Sequence, residues 1–156
     1  MTNPDEQLSE HFKRSELACH CCGQLILNER LLPALEALRA LAGAPIEVLD
    51  AYRCPTHNAG ALGVPKSAHL DGRAADIRIY RASRVSEFPP DRSPWLSLQE
   101  MYDLANQIAD FRDGGIGIYD AGTMHVDVRG THPARWARVN GVYTSIAGSG
   151  LLQRYP

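Results

Sequence analysis

Apolar positions recur every three or four residues in two stretches of the chain, which predicts two amphipathic helices. The first is expected from about residue 29 to residue 41, where five leucines share one face: Leu31, Leu32, Leu35, Leu38 and Leu41. The second is expected from about residue 97 to residue 109, and Ser97 with Glu100 three residues later is close to a capping box. Residues 15–17 favour one short helical turn before the first helix.

Four other stretches alternate apolar and polar residues or are rich in β-branched residues, which predicts strands. They cover residues 45–52, 74–80, 116–119 and 124–128. Asp120-Ala121-Gly122 is expected to join the last two as a hairpin. This order of elements, without a repeat or a linker, predicts a compact α+β fold of one domain over residues 1–156. A central antiparallel sheet would carry the helices, and residues 1–10 would form a polar arm.

The composition narrows the partners and the location of the chain. Its 16 Lys and Arg and 18 Asp and Glu give a formal charge of −2, so no basic surface for nucleic acid is expected. No apolar stretch approaches the roughly 20 residues of a membrane span. Residues 1–6 lack the basic and apolar runs of a signal peptide. We therefore expect synthesis in the cytoplasm without a signal peptide, no membrane insertion and a monomer.

Four cysteines are present, and three of them lie in the run Cys19-His20-Cys21-Cys22, with Cys54 further along the chain. Without a signal peptide, reduced thiols are the default state. The alternative is a structural zinc bound by this run with help from Cys54, although a second Cys-x-x-Cys or a His pair at zinc-finger spacing is absent. We favour small, partly buried thiols and leave the metal-bound alternative open.

Two segments concentrate side chains of the types that bind zinc. In the first, Gly72 lies between His69 and Asp76, so a sharp turn can bring a loop histidine toward an aspartate on the next strand. In the second, His125 and Asp127 lie two apart on one strand and therefore share a face. Two histidines, one carboxylate and an open position are typical of catalytic rather than structural zinc. The remaining carboxylate of the second segment is then a candidate proton acceptor.

Simpler structural roles account for the same residues one at a time. Asp76 could pair with a neighbouring arginine, and His125 with Asp127 could form an exposed pair on the strand. The polar stretch over residues 53–70 is long enough to be functional. Arg53 at its start could clamp a substrate carboxylate or a developing oxyanion.

Four motifs occur in a fixed order: Tyr52-Arg53-Cys54-Pro55-x-His57-Asn58, Ser67-x-His69-x-x-Gly72-x-Ala74-x-Asp76, Gly115-x-Gly117-x-Tyr119 and His125-Val126-Asp127. They resemble the zinc D-Ala-D-Ala carboxypeptidase family, which includes L-alanyl-D-glutamate and D-Ala-meso-diaminopimelate endopeptidases of phages and bacteria. The likeness is to a short branch in which the last motif is followed by Arg-Trp, here Arg135-Trp136, and it spans Phe12 to Trp136.

The resemblance implies one zinc ion held by His69, Asp76 and His125 in a small α+β domain. It implies that Arg53 orients the substrate and polarises its carbonyl, and that Ser67 contacts the substrate. The substrates implied are peptide bonds of the peptidoglycan stem, usually involving D-amino acids.

The proton acceptor is where this chain departs from the family pattern. Several relatives carry the catalytic carboxylate three residues before the last ligand, where this chain has Gly122. The role therefore goes to Asp127 by strand geometry, or to Asp120 if the hairpin bends that side chain inward.

The sequence therefore predicts a zinc metallopeptidase that hydrolyses peptidoglycan stem peptides, as an endolysin-type endopeptidase. It would act at the cell wall or in the periplasm after release through a holin-like pore. The alternatives are a D-Ala-D-Ala carboxypeptidase or dipeptidase, and a non-catalytic, zinc-stabilised module that binds cell wall or belongs to a phage particle. Which bond is cut depends on how the loops 53–70 and 83–94 close the groove.

Overall fold

The computed structural model of the chain describes residues 3–81 and 93–153. Its strands are β1 Ile46–Asp50, β2 Ala74–Ile79, β3 Gly115–Tyr119, β4 Met124–Asp127, β5 Ala134–Val139 and β6 Val142–Thr144. Its helices are α1 Arg14–Leu17, α2 Leu31–Ala42, α3 Pro55–Gly60, α4 Leu98–Ala105, α5 Ala109–Arg112 and α6 Ile146–Ser149. Within the described residues, none of these helices combines the length and the apolar character that crossing a membrane requires.

All six strands form one sheet, in the order β1-β2-β4-β3-β5-β6. Neighbouring strands are antiparallel except for β3 and β5, which run parallel. The predicted α+β class with a central sheet is therefore confirmed, although the sheet is mixed rather than wholly antiparallel. The last two strands had no counterpart among the predicted ones, because arginines interrupt the apolar pattern of β5 and all of β6 is exposed at the sheet edge.

The hydrophobic core lies between one face of the sheet and the helices α2 and α4. Leu31, Leu35 and Leu38 of the predicted leucine face are fully buried, as is Met101 of α4, whereas Leu41 remains exposed. The buried helix residues form one cluster with strand residues that include Ala75, Ile77, Ile79, Ile116, Ile118, Met124 and Val126. Because successive side chains of a strand point to opposite faces, the residues between these apolar positions face away from the core.

The polar stretch over residues 53–70 contains more regular structure than its composition indicated. It includes α3 and a 3₁₀ turn over Ala68–Asp71. Cys54 caps α3, since its Sγ accepts the backbone N–H of His57 at 3.4 Å. The helix then begins at Pro55, where a missing N–H costs no helical hydrogen bond.

The structure describes most of the predicted polar arm but little of the predicted loop 83–94. In the predicted polar arm, Ser9 Oγ donates to Glu36 Oε1 of α2 at 2.5 Å, and the side chain of Leu8 packs against the core. The loop 83–94, which is rich in proline, lies largely outside the described residues.

Gly72 ends the 3₁₀ turn that carries His69, and two features of this position require glycine. Its φ is +63°, in the left-handed region where a side chain costs about 1–2 kcal/mol. A Cβ atom would also lie 2.0 Å from the backbone oxygen of Ile26. The neighbouring Asn28 N–H donates to the Gly72 carbonyl at 3.0 Å. The turn is therefore held against another backbone segment at a distance that excludes a side chain.

We expect Gly72→Ala to destabilise the protein much more than Gly43→Ala, as measured by urea unfolding of the metal-free protein. Gly43 has the same left-handed backbone, with φ +64°, but a Cβ atom added there would have no neighbouring atom within 4 Å. The control should therefore cost about 1–2 kcal/mol from the backbone alone, and Gly72→Ala should cost the same plus a displacement of the backbone at Ile26. If both variants lost the same free energy of unfolding, the close approach of Gly72 to Ile26 would not contribute to stability.

Candidate metal centre and active site

The face of the sheet opposite the core carries one row of polar and aromatic residues across four strands. Asp76 of β2 is opposite His125 of β4, which is opposite Gly117 of β3, which is opposite Trp136 of β5. A Cβ atom on Gly117 would lie 2.3 Å from the indole of Trp136, so glycine leaves the space that the ring fills. The indole lies beside the His125 ring, with 5.2 Å between ring centroids.

His69 approaches this row from the 3₁₀ turn before β2. Ser67 caps the turn, because its Oγ accepts the backbone N–H of His69 at 3.3 Å. The ring Nδ1 of His69 lies 2.6 Å from the carbonyl oxygen of Ala51, to which it donates when the proton is on Nδ1. Nε2 then carries the lone pair, and it is buried without a hydrogen-bond partner among the described residues.

The three residues predicted as zinc ligands converge on one point. His69 Nε2 lies 3.4 Å from Asp76 Oδ2, and His125 Nδ1 lies 3.1 Å from Asp76 Oδ1. One ligand atom from each residue lies within 4.8 Å of the others. A tetrahedral zinc with bonds of about 2.0–2.2 Å needs donor atoms roughly 3.3 Å apart. The spacing, the donor types and the unpartnered Nε2 of His69 all fit a zinc ion.

Asp76 is a buried carboxylate that stays ionised. Burial alone would raise its pKa, but the hydrogen bond with His125 and the proximity of both histidine rings hold the pKa well below its usual range. Arg53 Nη2 donates to Oδ2 at 2.6 Å, and the hydroxyl of Tyr119 donates to Oδ1 at 3.2 Å. Burial and the nearby Asp76 charge raise the pKa of Tyr119, which keeps its hydroxyl protonated.

Arg53 bridges two carboxylates at the edge of the site. While Nη2 donates to Asp76, Nε donates to Asp50 Oδ2 at 2.5 Å, and the backbone N–H donates to the carbonyl of His69 at 3.1 Å. Only 11% of the arginine side chain is exposed. The guanidinium is therefore fixed in direction by the same groups that surround the metal position.

Asp127 lies behind His125, and its side chain is fully buried. Its Oδ1 accepts the backbone N–H groups of Gly115 and Arg129, both at 3.0 Å, and Arg129 Nε at 2.9 Å. Its Oδ2 accepts Arg129 Nη2 at 2.6 Å and lies 3.0 Å from His125 Nε2. Burial would raise the pKa of Asp127, but the hydrogen bonds from Arg129 and His125 hold it well below its usual range.

These contacts determine which nitrogen of His125 is left for a metal. A carboxylate that accepts Nε2–H fixes the orientation of the ring, so that Nδ1, directed toward Asp76, is the nitrogen left for a metal. Hydrogen bonds to Asp127 and Asp76 raise the pKa of His125 to about 9 in the metal-free protein, although burial works the other way. Zinc must therefore displace a proton from this ring near neutral pH.

A cavity of about 660 Å³ opens over the metal position. The three candidate ligands line it together with Arg53 and Ser67, whereas Asp127 is not among its lining residues. Asp120 lines the cavity with an exposed side chain, and its Oδ2 accepts the backbone N–H of Asn140 at 2.7 Å. Aromatic and basic side chains complete much of the lining: Lys66, Tyr119, Arg129, Trp136, Arg138 and Tyr143.

Sequence reasoning gave no role to several residues of this site. The signal for Arg129 was only a basic residue two positions after Asp127, since it lies beyond the end of β4. The sequence offered no signal for Asp50, since only the pairing of β1 with β2 places it opposite Asp76. Trp136 and Tyr119 belonged to the recognised motifs, but Trp136 reaches the site only through the parallel pairing of β3 with β5. Tyr119 reaches Asp76 because β4 pairs with both β3 and β2.

Residues 10–88 match the Peptidase M15 family. The matched span covers slightly more than half of the 156 residues and includes Arg53, Ser67, His69 and Asp76. His125 and Asp127 lie beyond it. No curated protein matches the chain. The match confirms the family resemblance drawn from the order of the motifs.

Proposed function

The chain belongs to the Peptidase M15 family of zinc-dependent peptidases that act on peptidoglycan, and we propose that it hydrolyses peptide bonds of stem peptides that contain D-amino acids. The observation that carries the proposal is the convergence of His69 Nε2, an Asp76 oxygen and His125 Nδ1 at the cavity. Two histidines and one carboxylate leave a zinc position open to water or substrate, as catalytic sites require.

When bound, zinc supplies a Lewis acid that polarises a carbonyl and activates water. The protein residues around it then divide the remaining work. Asp76 and the two histidines hold the ion, and Arg53 presents a fixed guanidinium from the cavity wall. A planar fork of N–H donors can bind a substrate carboxylate or stabilise the oxyanion that forms during hydrolysis.

We propose that Asp120, rather than Asp127, accepts the proton of the attacking water. Asp127 is excluded from the cavity, and both of its oxygens are already hydrogen-bonded. Its contacts support a positioning role instead, in which it orients His125. Asp120 lines the cavity, and only one of its oxygens accepts a hydrogen bond from a described residue. The sequence had favoured Asp127, with Asp120 as the alternative.

The cavity lining supports a substrate that carries carboxylates. Lys66 lines the cavity and forms no ion pair with another described residue, so its charge is available to a ligand. Stem peptides carry free carboxylates on D-glutamate and at the chain terminus, which suits Arg53 and Lys66. Cleavage inside the stem, as by an endopeptidase, remains our proposal. Its setting as an endolysin released through a holin-like pore also stays a prediction.

We expect the zinc-loaded protein to release new fragments from purified peptidoglycan, as identified by mass spectrometry of the products. His69→Ala should abolish the activity, because it removes a ligand from the cavity. Fragments cut within the stem would support an endopeptidase, and loss of the terminal D-alanine alone would assign a carboxypeptidase. A zinc-bound protein that releases nothing from any peptidoglycan type would contradict the proposal and favour a binding module.

Replacing Arg53 by lysine should lower kcat/KM by about 10- to 100-fold, because one ammonium cannot make the two directed contacts of the guanidinium. Steady-state kinetics on a defined stem peptide would measure the effect. Arg78→Lys is a matched control, since Arg78 lies two residues from Asp76 on β2 but pairs with Glu47 and does not line the cavity. An Arg53→Lys enzyme with wild-type kcat/KM would remove this residue from the mechanism.

Two aspartate variants separate the positioning role from the proton acceptor. Asp127→Asn should weaken zinc binding at the site formed by His69, Asp76 and His125. The expected loss is about 10- to 100-fold, because the substitution removes the charge that holds the His125 ring in place. Asp120→Asn should leave zinc affinity unchanged and lower kcat by about 10²- to 10⁴-fold. Chelator competition and turnover of the zinc-saturated enzymes would measure the two effects.

Asp103→Asn is the control for these variants, because Asp103 is an exposed residue of α4 that does not line the cavity. If Asp127→Asn kept wild-type zinc affinity but lost turnover, and Asp120→Asn were fully active, the proton acceptor would be Asp127.

A further inference from the structure

All four cysteines of the chain come together at a second place, away from the cavity. Their sulfur atoms lie within 4.8 Å of one another, and we call Cys19, Cys21, Cys22 and Cys54 the thiol cluster. No disulfide joins any two of them. Cys19 is buried, Cys54 is half-buried, and the other two are exposed. Two segments far apart in sequence must meet to build this arrangement, so it is a product of the fold.

A tight turn brings three of the thiols to the same side. The N–H of Gly23 donates to the Cys19 carbonyl and the Cys19 N–H donates to the Gln24 carbonyl, both at 2.8 Å. Gly23 has φ +69°, which lets the chain reverse directly after Cys22. Cys19 and Cys22 are separated by two residues, which is a common ligand spacing in structural zinc sites.

The fourth thiol comes from the loop that follows β1. The N–H of Tyr52 donates to the carbonyl of Leu17 at 3.1 Å, which joins this loop to the end of α1. The N–H of Cys54 then points at Cys19 Sγ, 3.4 Å away, while Cys54 Sγ accepts the N–H of His57 at 3.4 Å. Backbone N–H groups directed at sulfur stabilise thiolates, the form that binds metal.

The distances fit a shared cation better than a cross-link. Cys21 Sγ lies 3.2 Å from Cys54 Sγ and 3.5 Å from Cys19 Sγ. A tetrahedral zinc with bonds of about 2.3 Å to sulfur places its ligands roughly 3.8 Å apart. A disulfide would use only two of the four thiols. Four thiolates at these distances repel one another unless a divalent cation lies among them.

We propose that the thiol cluster binds a second, structural zinc ion through its four sulfur atoms. His57 supports the site, because its Nδ1 lies 3.3 Å from Cys19 Sγ and can donate to the thiolate. Four protein ligands close the coordination sphere, so this ion has no open position for substrate. The one-zinc expectation from the sequence is thereby extended to two ions of different function.

The proposed ion ties the N-terminal turn to the residues that position Arg53. Cys54 is the next residue after Arg53, and His57 Nε2 lies 3.8 Å from Asp50, the carboxylate that accepts Arg53 Nε. A zinc at the thiol cluster therefore restrains Arg53 in two ways, through the adjacent Cys54 in the chain and through the contact of His57 with Asp50. It stabilises the active site without contacting the substrate.

Metal analysis and cobalt substitution test the proposal without reference to peptidase activity. Protein prepared with zinc under reducing conditions should hold two zinc ions per chain, and His69→Ala should hold one. The cobalt-loaded His69→Ala protein should show the intense near-ultraviolet thiolate-to-cobalt charge-transfer bands, because its remaining site is made of sulfur. Cys21→Ser/Cys54→Ser should lose these bands and keep the ion held by His69, Asp76 and His125.

His20→Ala is the matched control, because His20 lies in the same turn but is not among the grouped ligands, and it should keep both ions. If the cysteine variant fails to fold, the spectrum of cobalt-loaded His69→Ala still decides the matter. A single zinc that His69→Ala removes, or reduced thiols that give no charge-transfer bands with cobalt, would overturn the proposal. Intact-mass detection of a disulfide that persists in place of bound metal would overturn it as well.

Discussion

The buried, ionised carboxylate of Asp76 determines how the surrounding site is built. A charge this deeply buried is stable only if it is paired and hydrogen-bonded. The fold surrounds it with His69, His125, Arg53 and Tyr119, each from a different part of the chain. The carboxylate that would bind zinc therefore also brings both candidate histidine ligands and Arg53 into one cluster.

Each partner of this carboxylate is held in turn by a group further from the metal position. His125 is backed by Asp127, whose charge is balanced by Arg129, and Arg53 is backed by Asp50. His69 is fixed by the carbonyl of Ala51. Alternating charges of this kind leave few rotamers open, so the ligands are oriented before a metal arrives. Rigid support by a second layer of hydrogen bonds is what metal sites generally require.

Two adjacent residues, Arg53 and Cys54, connect the metal position with the thiol cluster. Cys54 contacts Cys21 of the N-terminal turn, and the guanidinium of Arg53 donates to Asp76. A structural ion at the thiol cluster would thus stabilise the geometry of the metal position. Such an ion would add to the hydrogen bonds to Asp50 and Asp76 that already hold the Arg53 guanidinium in one direction.

Patterns in the sequence predict the α+β class, the two main helices, four of the strands and the types of residue that form the site. These features follow from local periodicity and residue chemistry, which a short window of sequence contains. Local patterns did not reveal β5 and β6, the contacts of Asp50 and Asp127, or the close approach of Cys54 to Cys19. Strand pairing, burial and thiol spacing depend on contacts between distant segments. The folded chain was therefore needed to show that Asp120 lines the cavity while Asp127 is buried against His125.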